Sequence, residues 1–498
     1  MTPTGDRRQE TQHPFRAIVE IRLTTAEQGR DLVLAQLTEG FVPLLAQDAL
    51  LPARNQMAIS LGAHIILACF GVSMPAMLFV LHRKGVKGDA DALELAKRWS
   101  KVSAVLFAIG AVSGTILAFE LGLLWPGLME QFGDVVGLAF TLEGISFFVE
   151  AIFLGIYVYG WGRLPTKTHQ FLLLPMIISG MTGTFFVMSV NSWMNAPTGF
   201  DIVNGQVVNI NPWAAIFNDA VFLQYLHMLL AAYMVAAFTM VSVYSVGWLR
   251  GKRDRLHRLG ILVPLTFAAI VTPIQPIVGH FAGQAIADRQ PIKLAAIEGL
   301  SETESRVPII VGGFFDEEEG EVVAGVEVPI PGLGSFLAQN SFNAEIIGLN
   351  DVPEDEQPPV NIVRYSFQIM VGIGTGLAML VTYAGFRWFR DKDSFLENKW
   401  MLRAFALTGA GAIITMETGW ITTEVGRQPW VVHGILRTED AVTDGNWVWF
   451  TFIGLTIIYV GMFAAGFGVL RSMSKRWAAG EKDLESPYGP ARIQELVA

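Results

Sequence analysis

The chain has 498 residues and a formal net charge of −10, and 52% of its residues are hydrophobic while only 16% are charged. A soluble protein of this length carries nearer a quarter charged residues, so composition excludes an ordinary water-soluble enzyme, and the acidic balance gives no footing for nucleic acid. The single cysteine, Cys69, excludes an internal disulfide, and the lack of any Cys-x-x-Cys-His run excludes covalent haem attachment of the c type.

Residues 1–50 form a mixed polar extension containing Arg7, Arg8, Arg16, Arg22 and Arg30. No compact apolar core follows a short basic start, so the extension is not a secretory signal. Apolar stretches of about 20 residues then recur, the length that crosses a bilayer as a helix. They predict spans at roughly 57–81, 102–125, 137–160, 170–191, 213–248, 259–279, 362–386, 403–423 and 447–470, the fifth long enough to protrude. The fold class is therefore an all-α integral membrane protein, about nine transmembrane helices in a bundle. Residues 51–279 carry helices one to six, 280–361 form a long external loop, 362–470 carry helices seven to nine, and 471–498 form a tail.

Charge in the connections sets the orientation. Arg83, Lys84, Lys87, Lys97, Arg98 and Lys101 follow the first span, and Arg250, Lys252, Arg253, Arg255 and Arg258 follow the fifth, whereas the loops after the second and fourth carry no lysine or arginine. Positive residues stay inside, which predicts a cytoplasmic C-terminus and places the N-terminus and the long loop outside. From Phe281 to Val360 that loop holds fifteen acidic residues against three basic ones, with Gly-Gly and Pro-Pro punctuation. Long external loops of this kind carry function. Just beyond span six, Lys293 and Glu298 stand five apart across a short apolar helical run, a pair able to hydrogen-bond a polar headgroup arriving from the lipid.

Ionisable residues inside spans are functional candidates by default. His64, His227, Met370 and Glu424 all fall in the outer half of the membrane, and histidine, methionine and carboxylate are ligand types for haem iron. Spacing alone pairs none of them, and a methionine in such a helix is more often packing than ligand. Glu143 and Glu150, seven apart on one face of span three, suggest a proton relay with Asn191 of span four as a neighbour, against the plainer reading of a structural pair. Glu120, near the outer end of span two, reads as an interfacial charge. Span eight ends in Met416-Glu417-Thr418-Gly419-Trp420, then Glu424, Gly426, Arg427 and Pro429. Interfacial Trp and Arg anchor many helix ends, yet two carboxylates seven apart with Trp420 between them are unusual there.

Several of these stretches together resemble a known family. Glu424-Val425-Gly426-Arg427-Gln428-Pro429-Trp430 looks like subunit I of the cytochrome bd type quinol oxidases, and further matches follow in the family's order over about residues 50–470. They are Arg54 ten residues before His64, Leu142-Glu143-Gly144, Phe147-Phe148-Val149-Glu150, Tyr159 to Leu164, Val190 to Met194, and Lys293-Leu294-Ala295-Ala296-Ile297-Glu298. The resemblance implies that His227 and Met370 hold a low-spin haem b and that His64 and Glu424 each hold a high-spin haem. One of those is haem b and the other haem d or a further haem b. It implies Trp420 between haems, Arg427 near their propionates, and Glu143, Glu150 and Asn191 on the proton route. Lys293 and Glu298 fall on the signature of the quinol loop. It further implies dioxygen as oxidant, ubiquinol or menaquinol as reductant, a prokaryotic inner membrane with its lipid, a second membrane subunit (subunit II) and small single-span subunits. Three features depart from the best-known members: Gln368 stands where they have arginine, Glu143 and Glu150 are seven rather than eight apart, and the quinol loop is of the short kind while the first 50 residues have no counterpart. The rival readings are a haem b electron-transfer subunit without dioxygen reduction and a proton-coupled transporter, the latter weakened by the lack of an inverted repeat.

Overall fold

The computed structural model describes residues 49–480; most of the N-terminal extension and the end of the C-terminal tail lie outside the described residues. Its long helices are α1 (Leu50–Val86), α2 (Ala90–Leu124), α3 (Pro126–Tyr159), α4 (Leu173–Asn195), α5 (Val221–Leu249), α6 (Arg255–Arg289), α7 (Val360–Asp391), α8 (Lys399–Val425) and α9 (Val448–Ala478). Local chemistry sets their starts. The side chains of Asp89, Asp254 and Asn398 accept from backbone N–H groups in the first turns of α2, α6 and α8, and Pro126 opens α3 where its missing N–H costs nothing.

All of these helices but α8 are long and apolar enough to cross a membrane. The 27-residue α8 has the length, but Lys399, Arg403, Glu417 and Glu424 dilute its apolar character. It tolerates them because it packs against α5 on one side and α7 on the other. The fifth span departs from expectation. Instead of one protruding helix over 213–248, a short helix Pro212–Ile216 is followed by a break and then α5. Asn218 makes the break, its side-chain N–H groups reaching Ser189 O, Ser192 Oγ and Ala215 O while its Oδ1 accepts from Ala220 N. Such local side-chain bonds compete with helix.

Packing divides the bundle into two four-helix groups. In one, α1 packs on α2 and α4, and α3 packs on α4 and α2; in the other, α5 packs on α6 and α8, and α7 packs on α8 and α6. Contacts of α5 with α1 and α4 join the groups, and α9 leans on α1 and α2. The largest core cluster lies at that junction, with Met74, Met77, Leu78, Trp99, Tyr157 and Phe238 nearly inaccessible. Facing away from it, Phe119, Phe148, Ile178, Phe222, Ile270 and Val460 are exposed, an apolar exterior that suits hydrocarbon or another membrane subunit.

The long connection between α6 and α7 begins with a helix, Pro291–Glu298, followed by an antiparallel hairpin, Ile310–Asp316 with Glu321–Glu327. The helix ends on Gly299 at φ 71°, where a Cβ would stand 2.6 Å from Val322 Cγ2, so conformation and space both require glycine. Arg364, in the second turn of α7 and 1% exposed, fastens this connection by donating to Glu298 O, Ile310 O and Gly312 O, each at 2.8 Å.

Candidate functional site

The C-terminal half of α8 and the turn after it meet α1, α4, α7 and the Pro291–Glu298 helix. At its deepest level Glu417 faces α1, where a Cβ on Gly62 would lie 3.2 Å from Glu417 Oε2. A Cβ on Gly419 would stand 2.7 Å from Met370 Sδ of α7. Nearer the loop end, Glu424 accepts from Asn191 Nδ2 of α4 at 2.5 Å and from Arg427 Nη2 at 2.6 Å. Beyond it, a Cβ on Gly426 would meet Lys293 Cγ at 2.9 Å. From Glu417 to Glu424 is two turns, about 10 Å along the axis. Glycines on this helix thus stand where neighbouring functional side chains need close approach.

His64 sits two residues beyond Gly62 on α1. Its Nδ1 is 2.9 Å from Ser113 Oγ of α2, and that hydroxyl donates its own hydrogen to Gly110 O. Nδ1 must then carry the hydrogen, which leaves the Nε2 lone pair free for a metal. Gly114 gives the ring room, since a Cβ there would approach His64 Cε1 to 2.9 Å. His227, in the second turn of α5, faces Gly279 of α6 in the same way at 3.3 Å, and its Nδ1 is buried without a partner. Prolines 273 and 276 of α6 flank Gln275, whose Nε2 donates to His227 O at 3.1 Å.

Buried polar atoms without partners gather around this helix: Glu417 Oε1, Trp420 Nε1, and Nε and Nη1 of the 3%-exposed Arg427. Arg54 Nη2 donates to Gln428 Oε1 at 2.7 Å, pinning the first turns of α1 to the turn after α8. A neutral Nε2, a thioether, a carboxylate and uncommitted guanidinium N–H groups are what haem iron and its propionates require, so the residues fit that group.

Glu150 of α3 is buried between α1 and α4, with hypothetical Cβ atoms on Gly71 and Gly180 at 3.2 and 3.8 Å from its oxygens. Glu143 lies two turns nearer the loop end on the same helix. Asn191, expected as a neighbour of the Glu143 and Glu150 pair, bonds Glu424 instead of reaching Glu150. It stands eleven residues, about 16 Å, along α4 from Gly180.

Lys293 points inward. It is 3% exposed, and its Nζ donates to Gln290 Oε1 at 2.6 Å and to Asn195 Oδ1 at 3.2 Å. Burial and the nearby Arg427 guanidinium pull its pKa down to about 7. Burial pushes the Glu298 carboxyl up to about 7 against the opposing pull of Arg364. Asn195 also donates to Asn191 O, so a polar thread runs from Lys293 through α4 to Glu424. Beside it opens a cavity of about 420 Å³ lined by Asn195, Thr198, Asp219, Arg289 and His433. Burial, then Lys293 and Arg427, hold His433 near 4.

Sequence reasoning passed over Ser113, Gln290, Asn195, Arg364 and His433. Of these only Arg364 carried a signal, a charge inside an apolar helix. Gln368 turns toward the loop, accepting from Gly312 N at 2.9 Å and donating to Ile310 O at 3.0 Å. Glu120, expected as an interfacial charge, is buried against α1.

Comparison with known proteins places this geometry. Residues 52–477 match the family model described as cytochrome bd terminal oxidase subunit I. A Bacillus subtilis (strain 168) protein named for a cytochrome bd menaquinol oxidase subunit I is 37% identical over 85% of this chain and 96% of its own length. A cytochrome bd ubiquinol oxidase subunit 1 of the same strain is 28% identical over 82% of this chain and 90% of its own. The structure of bd oxidase from Geobacillus thermodenitrificans superposes with a TM-score of 0.80 at 36% identity, covering 86% of this chain and 99% of that one. With a family match over nearly its whole described length and a shared fold, the chain belongs to the cytochrome bd terminal oxidase subunit I family.

Proposed function

We propose that this chain is the haem-bearing subunit of a terminal respiratory oxidase that oxidises membrane quinol at the loop end of the bundle and reduces dioxygen to water. The family is one of quinol oxidases in prokaryotic membranes that carry haem and work with a subunit II, and that much comes with membership. Small single-span subunits are a further expectation.

The observation that carries the residue assignment is the His64–Ser113–Gly110 chain, because it fixes which imidazole nitrogen has a free lone pair. On this reading His64 and Glu424 each hold a high-spin haem, one haem b and the other haem d or a further haem b. His227 and Met370 hold a low-spin haem b. Bound haem supplies the electron transfer and the dioxygen chemistry. The chain supplies the rest. Trp420, whose Nε1 is buried without a partner, would stand between the haems, and Arg427 would offer its uncommitted Nε and Nη1 to their propionates.

Quinol contacts Lys293 and Glu298, which with pKa values near 7 can accept its hydroxyl protons at neutral pH. Those protons leave on the outer side, where the Asn195 cavity opens beside Lys293. Glu150 and Glu143 bring protons from the cytoplasmic side, and Asn191 orients the Glu424 carboxylate at the end of that route. Quinol protons released outside and substrate protons drawn from inside move charge across the membrane without a pump.

The test is haem extraction with reduced-minus-oxidised spectra on the purified complex, repeated for His64→Ala and Glu424→Ala. Each variant is expected to lose one high-spin signal and keep the low-spin one. Full haem content with normal turnover in both would remove the assignment.

A further inference from the structure

Glu120 has no part in the scheme above, yet it is one of the most deeply buried charges in the bundle. It lies five residues from the loop end of α2 and is 3% exposed. Its Oε1 accepts from Gln56 Nε2 at 2.9 Å and Ser60 Oγ at 3.0 Å, both on α1. Gln56 Oε1 accepts in turn from Thr451 Oγ1 of α9 at 2.9 Å. The second carboxyl oxygen, Oε2, has no partner, and Tyr459, 3% exposed on α9, brings its hydroxyl to Ser60 and Glu120 in the same seam. The groups facing Glu120 are therefore Gln56 and Ser60 from α1 and Thr451 and Tyr459 from α9, and no lysine, arginine or histidine pairs with it among the described residues.

An ionised carboxylate in that setting loses its water and gains only neutral donors, which offset a small part of the desolvation cost. A protonated one is neutral, keeps both bonds to Oε1, and turns Oε2 into a donor in the seam that holds the Tyr459 phenol. The seam also leads to His64. Ser60 precedes His64 by one turn of α1, about 6 Å, and Ser113, bonded to the His64 ring, precedes Glu120 by two turns of α2, about 10 Å. A unit of charge arriving at that distance through apolar protein changes the proton affinity of a buried carboxyl.

We propose that Glu120 is a redox-linked proton-binding site: it takes up one proton on Oε2 when an electron supplied by quinol reaches the haem held by His64, and gives it back when that electron leaves. The O–H bond forms with a proton taken from water at the loop end of the bundle, near which Glu120 and Thr451, the fourth residue of α9, both lie, and it breaks when the proton returns there. The exchange compensates charge and consumes nothing. It rests on the reading that His64 holds a haem.

The experiment is redox-difference infrared spectroscopy of the intact oxidase, paired with a potentiometric titration of the high-spin haem over a range of pH. The wild type is expected to give a carboxylic C=O band that is lost in Glu120→Gln, together with part of the pH dependence of the potential. Haem content and the resting visible spectrum should not change. Tyr459→Phe and Ser60→Ala keep the carboxyl and are expected to shift the band, so they serve if Glu120→Gln does not assemble. A band and a pH dependence unaltered in Glu120→Gln, or a band unmoved in both neighbouring variants, overturns the proposal. His64→Ala separates the two ideas. If it keeps every haem, the haem reading has failed, whereas loss of a high-spin haem with an unaltered Glu120→Gln spectrum means that only the proton site has failed.

Discussion

At the scale of single residues, Gly419 of α8 is as informative as Met370, the proposed haem ligand that it faces. A methyl group on Gly419 would sit 2.7 Å from Met370 Sδ, well inside contact distance, and the sulfur is the near atom, so the thioether must swing away. Gly419→Ala is therefore expected to disturb the low-spin optical spectrum by displacing the Met370 sulfur, and Met370→Leu to leave that haem five-coordinate and stop quinol oxidation. An unchanged low-spin spectrum in both variants would remove Met370 from the ligand set. Lys293 and Glu298 make a second prediction. Lys293, its pKa lowered to about 7, and Glu298, raised to about 7, both become proton acceptors as pH rises through that value. Quinol oxidation should climb over the same interval; Glu298→Gln should remove one of the two transitions from the pH profile and Lys293→Met the other, and a profile insensitive to both would count against the pair. The ligand candidates were legible because each is a polar or sulfur-bearing side chain where lipid composition argues against one. Ser113 was not, since it stands 49 residues from the histidine it orients and looks like any serine in an apolar helix. Glu120 was misread because its place near a helix end resembles an interface, and the residues that bury it include Thr451 and Tyr459 of the last helix.

At the scale of elements, the long connection behaves as a folded part of the bundle, and Arg364 is its fastener. Its guanidinium satisfies carbonyls at the end of the Pro291–Glu298 helix and on the first hairpin strand. Charge-assisted bonds of this kind are each worth roughly 1.5–3 kcal/mol. Arg364→Met keeps the apolar stem and strands the carbonyls. It is expected to raise the quinol KM several-fold and to open the connection to limited proteolysis, with the haem spectra retained. Equal protease resistance in variant and wild type would show that the fastening lies elsewhere. The helices themselves were legible from apolar runs and charge alternation, to within a turn or two at most ends. The fifth was not, because the apolar runs on either side of Asn218-Asp219 read as one span, and the three acceptors of Asn218 that break the helix there include two on α4. The acidic loop was legible as a loop, but its hairpin pairing was hidden by glycines and exposed charges that carry little periodicity.

At the scale of the whole molecule, the proposed function assigns different work to the two four-helix groups. The group of α5 to α8 holds His227, Met370 and Glu424 and adjoins the Pro291–Glu298 helix proposed to meet quinol, whereas the group of α1 to α4 holds His64 and the carboxylates of α3. Electrons would enter through the first group and protons through the second, meeting where α1 and α4 press against α8 at Glu417 and Glu424. That division separates two failures that a single rate cannot. Glu150 lies between α1 and α4, away from any group assigned to quinol, so Glu150→Gln should leave quinol reduction of the low-spin haem at its wild-type rate in a stopped-flow experiment without dioxygen. Steady-state dioxygen consumption by the same preparation should fall by about a hundredfold or more, the range in which a positioned acid or base contributes. Glu150→Asp, which keeps a titratable group one methylene shorter, should recover part of that loss, and a purely structural role would make it no better than the glutamine. Parallel decline of anaerobic haem reduction and turnover in Glu150→Gln would mean that protons and electrons share one path, and the division between the two groups would have to be abandoned.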